Sequence, residues 1–65
     1  MVICMKTDCG GEVTVLTSQI EAVYLNDYTP PQMVIYLLTG RSFMSSKELD
    51  GKNLYEIVKG YLSKA

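Results

Sequence analysis

Short apolar segments and turn-forming clusters follow one another along the first 44 residues, after which the apolar positions take a helical period. "MVICM" is apolar and predicts a first strand. In "TDCGGE", Asp8, Gly10 and Gly11 tolerate or favour positive φ, which predicts a turn. "EVTVLT" alternates, with Val13 and Val15 on one face, and predicts a second strand joined to the first by a hairpin across Gly10 and Gly11. Residues 17–19 predict a tight turn and residues 20–25 a third strand, although Ile20, Val23, Tyr24 and Leu25 fit neither period cleanly. "NDYTPPQ" reads as a loop, because Pro30 and Pro31 donate no backbone hydrogen bond and favour an extended, solvated chain.

Residues 33–38, "MVIYLL", predict a fourth strand, Thr39 and Gly40 a turn, and residues 41–44 a returning fifth strand. The tail "SSKELDGKNLYEIVKGYLSKA" predicts a helix. Leu54, Ile57, Val58, Tyr61 and Leu62 fall at i, i+3, i+4, i+7 and i+8, and Leu54, Ile57, Val58 and Leu62 are expected to pack on the sheet. Ser45 and Glu48 have capping-box spacing, with Asp50 as an alternative N-cap. Lys59 and Lys64 suit the helix dipole, and Gly51 is expected to break off a short first turn.

The expected fold is α+β: a small antiparallel β-sheet or partly open barrel of four to five strands, with one C-terminal α-helix packed on it. All 65 residues, 1–65, form a single domain. One feature of the pattern strains this picture. Met33, Ile35 and Leu37 point to one side of their strand, and Val34, Tyr36 and Leu38 to the other. One helix covers one side. The other, with Tyr24 or Leu25 beside it, needs a second cover, because a large bare apolar patch is unusual on a soluble monomer. A homo-oligomer is the expected solution and a closed barrel its rival. Tyr36, Leu38 and Phe43 are the expected anchors of the self-contact, and the exposed loop of Tyr28, Pro30 and Pro31 is a further protein-contact candidate.

The hydrophobic fraction, 48%, is that of a globular chain rather than a disordered one. Net charge is −1, unevenly spread. Residues 1–40 carry Lys6 against Asp8, Glu12, Glu21 and Asp27, a net −3. Residues 41–65 carry Arg41, Lys47, Lys52, Lys59 and Lys64 against Glu48, Asp50 and Glu56, a net +2. The start lacks a basic segment followed by a long apolar one, and no apolar run is long enough to suggest a membrane span. A cytoplasmic protein with reduced thiols is the expectation.

Candidate chemistry is sparse. With no histidine, the commonest general base and metal ligand is missing. The carboxylates are scattered over turns and the helix, so no catalytic or cofactor-binding residue is assigned and the chain is expected not to be an enzyme. Cys4 and Cys9 supply two of the four ligands that a structural zinc needs; two chains would supply four, with Asp8 or Glu12 as oxygen alternatives. A disulfide across the first turn is a further alternative. The favoured reading makes Cys4 a small core residue and Cys9 a turn thiol, with no metal and no cofactor.

Ile20, Glu21 and Val23 fit an "Ile-Glu-x-Val/Ile" strand. Ile35, Leu37, Gly40 and Arg41 fit an "x-Ile-x-Leu-x-x-Gly-Lys" hairpin, with Phe43 at the aromatic position after it. On these residues, positions 19–49 resemble the short flagellar proteins of the FlbD family. The same hairpin is similar to part of the longer LytTR-type DNA-binding domains. The chain departs from the flagellar pattern at Thr39, where Asn is typical, at the double proline and in the "CMKTDCGG" start. The resemblance implies a small regulatory or accessory β-rich protein and carries over no catalytic residue.

The expected function is therefore that of a small non-enzymatic, cytoplasmic protein-binding regulator or accessory module of phage, mobile-element or flagellar type. Its expected partners are itself, as a homodimer, and another protein, with no membrane. The alternative is a nucleic-acid-binding transcriptional regulator using Arg41, Lys47, Lys52 and Lys59. The positive C-terminal half favours that alternative and the acidic pI of about 5.1 opposes it.

Overall fold

The fold is seen in a computed structural model that describes residues 2–63; Met1, Lys64 and Ala65 lie outside the described residues, and with them the expected dipole role of Lys64. Strands β1 (Val2–Lys6) and β2 (Glu12–Leu16) form an antiparallel hairpin, with Ile3 opposite Val15 and Met5 opposite Val13. Its turn passes through Gly10 at φ +94, where Thr7 N donates to Gly11 O at 2.8 Å. A 3₁₀ turn (Thr17–Gln19) leads into β3 (Ile20–Leu25). Strands β4 (Met33–Leu37) and β5 (Ser42–Met44) follow, and β3-β4-β5 is an antiparallel meander. Gly40, at φ +91, closes the β4–β5 turn, a conformation that costs glycine little.

Residues 2–63 thus form an α+β fold of two antiparallel sheets, of two and three strands, and a C-terminal helix, α1 (Gly51–Ser63). The sheets meet at one corner. Asp8 N donates to Met44 O and Ser46 N to Lys6 O, both at 2.9 Å, around an isolated bridge between Thr7 and Ser45. That contact is too short to close a barrel, so the closed-barrel rival is not the fold.

Both sheets turn one face to a common core. The strand period of two aims Ile3 and Met5, Val15, and Met33 and Ile35 inward, where Ile20 and Val58 complete the cluster. Helix α1 lays Val58 into it with Leu54, Tyr55 and Leu62 alongside. The docked stripe therefore centres on Gly51, followed by Leu54, Tyr55, Val58 and Leu62. Ile57 is 43% exposed and Tyr61 is exposed too, contrary to the expectation that Ile57 packs on the sheet. The physical reason is the helix rotation. At 3.6 residues per turn, Ile57 lies about 120° round from Gly51.

Gly51 fixes that rotation. A Cβ there would overlap the Pro31 carbonyl oxygen and sit 2.8 Å from Gln32 Cα. Gly51 therefore begins the helix against the β4 lead-in rather than breaking it. Asp50 is the N-cap, its Oδ1 accepting from Asn53 N at 3.1 Å. The capping-box reading of Ser45 and Glu48 is corrected: Ser45 is buried and its Oγ accepts from Met33 N at 3.0 Å, so it serves the sheet.

The same corner holds a polar hub. Gln32 is 1% exposed, and its Nε2 donates to Asp8 Oδ1 at 2.9 Å and to Ser45 O at 2.8 Å. Its backbone N donates to Asn26 Oδ1 at 2.8 Å, and Asn26 N returns a bond to Gln32 O at 3.1 Å. Tyr28 N also donates to Asn26 Oδ1, at 3.3 Å. Among the described residues every buried side-chain N or O atom has a partner, as the cost of an unpaired one demands.

Two stability tests follow from this packing. In urea titrations, Ile35→Ala should cost about 2–5 kcal/mol and Ile57→Ala no more than about 0.5. Gly51→Ala raises helix propensity by up to about 1 kcal/mol, yet it should destabilise the protein, because overpacking against backbone costs about 1–3 kcal/mol or more. A stabilised Gly51→Ala variant would mean that the helix does not approach β4 this closely.

Candidate interaction surface

The alternation that builds the core leaves a second face on the meander. Its register sets out two rows: Ala22 opposite Tyr36 opposite Ser42, and Tyr24 opposite Val34 opposite Met44. Tyr24 is 52% exposed, Tyr36 44% and Leu38 60%. Leu38 stands just beyond the first row, held by its N–H to Gln19 O at 2.9 Å. Val34 and Met44 are half-buried, and Asn26 Nδ2 donates to Met44 Sδ at 3.6 Å. The face is therefore graded. It is closed at the Asn26–Gln32 end by the hub and open at the Tyr36–Leu38 end.

Neither row holds a charged residue. The nearest charges are at the edges. Glu21 sits at the irregularity between Ile20 and Ala22 on β3, and Arg41 lies opposite Leu37, whose N donates to Arg41 O at 2.8 Å, so strand alternation sets Arg41 out of these rows; both residues are exposed. An uncharged apolar surface with a polar rim is the usual anatomy of a contact surface.

The sequence-derived anchors divide here. Tyr36 and Leu38 lie on this face. Phe43 does not: it pairs with Ile35, shares that residue's inward side and packs against the core. Tyr24, rather than Leu25, takes the place beside Tyr36, and its pairing with Val34 is the signal that identifies it. Tyr28 and Pro30 are exposed on the β3–β4 loop, a separate tip, where the Thr29–Pro30 peptide is cis. Pro31 is half-buried, its carbonyl facing Gly51.

The basic candidates are spread out. Arg41 lies in the β4–β5 turn, Lys47 beyond the other end of β5, and Lys52 and Lys59 on α1, all exposed. Spacing by seven puts Lys52 and Lys59 on one helix stripe, and Lys59 Nζ stands 5.7 Å from the Tyr55 ring centroid.

Cys4 is not a core residue. It is exposed on the outer side of β1, its Sγ 3.4 Å from Thr14 Oγ1 across the hairpin. Inward positions alternate, and Ile3 and Met5 take them. Cys9 is an exposed free thiol in the first turn, 3.2 Å from Thr7 Oγ1. Thr7, and next a backbone hydrogen bond from Gly11, hold the Cys9 thiol below its ordinary value. The Thr7 hydroxyl also donates to Gly11 O at 3.1 Å. It has one proton, so ionisation of Cys9 draws that proton from the carbonyl to the sulfur.

An open cleft of about 400 Å³ runs between the hairpin and the start of α1, and its charged lining residues Lys6, Glu12 and Glu48 are all exposed. No group of three or more Cys, Asp or Glu side chains comes together among the described residues. No protein-family model, no curated protein and no solved structure matches the chain.

The Cys9 geometry is testable in a Cys4→Ser background. Alkylation by iodoacetamide should show a midpoint below that of an ordinary thiol, and Thr7→Val should raise it, because the thiolate then loses the hydroxyl that donates to it. An unchanged midpoint in Thr7→Val would show that the hydroxyl does not serve the thiolate.

Proposed function

We propose that this chain is a small non-enzymatic protein-binding module, a regulator or accessory subunit, that works as a homodimer through the outer face of the β3-β4-β5 meander. The observation that carries the reading is the exposed set Tyr24, Tyr36 and Leu38 on a sheet whose other side packs on the core. The same residues that build a strand need not be apolar on both sides unless both sides are covered. A second copy of the chain covers the outer side, and the Tyr28–Pro30 tip remains free for another protein. The resemblance of residues 19–49 to flagellar FlbD-type proteins supports a regulatory or accessory role. No helix among the described residues is long and apolar enough to cross a membrane, and a cytoplasmic setting keeps both free thiols reduced.

Sedimentation equilibrium on the unmodified chain tests this. It should dimerise at micromolar to millimolar concentration. Tyr36→Glu should stay folded by circular dichroism and weaken the dimer by about 2 kcal/mol or more, roughly 30-fold in Kd. Tyr28→Ala should leave the dimer unchanged. A dimer insensitive to Tyr36→Glu, or a monomer throughout, would contradict the reading.

A further inference from the structure

We draw no further inference here: the strongest candidate, the open cavity of about 230 Å³ beside the first hairpin turn, where the exposed Cys9 thiol meets Phe43 and Met44, rests on a lone cysteine, and nothing else in the structure points to a ligand there.

Discussion

The fold turns on one close approach, that of Gly51 to the Pro31 carbonyl and the Gln32 backbone. Five parts of the chain meet there. The amide of Gln32 ties the end of β1 through Asp8 and the exit of β5 through Ser45. Its backbone ties the end of β3 through Asn26 and leads directly into β4. The absence of a side chain at Gly51 lets the helix begin against this corner. From that pivot the stripe of Leu54, Tyr55, Val58 and Leu62 falls onto the core.

The consequence is sidedness. A chain of this size has a thin stability margin and few residues with which to cover two sheet faces. The helix is pinned to the inner side, where it completes the cluster around Met33 and Ile35. The hub closes the near end of the outer side. On that outer side Tyr24, Tyr36 and Leu38 stay exposed. The proposed function rests on that remainder of the packing rather than on any catalytic constellation.

Much of the architecture was legible because its signals are local. Glycine and proline clusters mark the turns, and the period changes where β5 gives way to the helix. Residues 20–25 were readable as a strand despite mixed periodicity, and the structure sets β3 at Ile20–Leu25. The errors have a common physical origin: they concern relations between elements. Ile57 fits a helical stripe as well as Tyr55 does, and only the Gly51 contact chooses between the two stripes. Ser45 has cap spacing, yet its hydroxyl is engaged by Met33 across the sheet. Phe43 looks like a partner for Tyr36 by proximity in sequence, but pairing with Ile35 sends it inward. Cys4 sits in an apolar segment and still faces out, because Ile3 and Met5 hold the inward parity. The Gln32 hub had no sequence signal beyond a polar residue next to an apolar strand.

The central claim is that the bare outer face of the meander is the surface this protein works with. Backbone amide chemical shifts of the unmodified chain, followed by NMR from low micromolar to millimolar concentration, test it most directly. The account predicts concentration-dependent shifts confined to Glu21, Ala22, Tyr24, Val34, Tyr36, Leu38, Arg41 and Ser42, with Ile57 and Tyr61 on the helix and Val2 and Leu16 on the hairpin unmoved. Shifts centred on Ile57 and Tyr61 or on Val2 and Leu16, or none over the whole range, would contradict it.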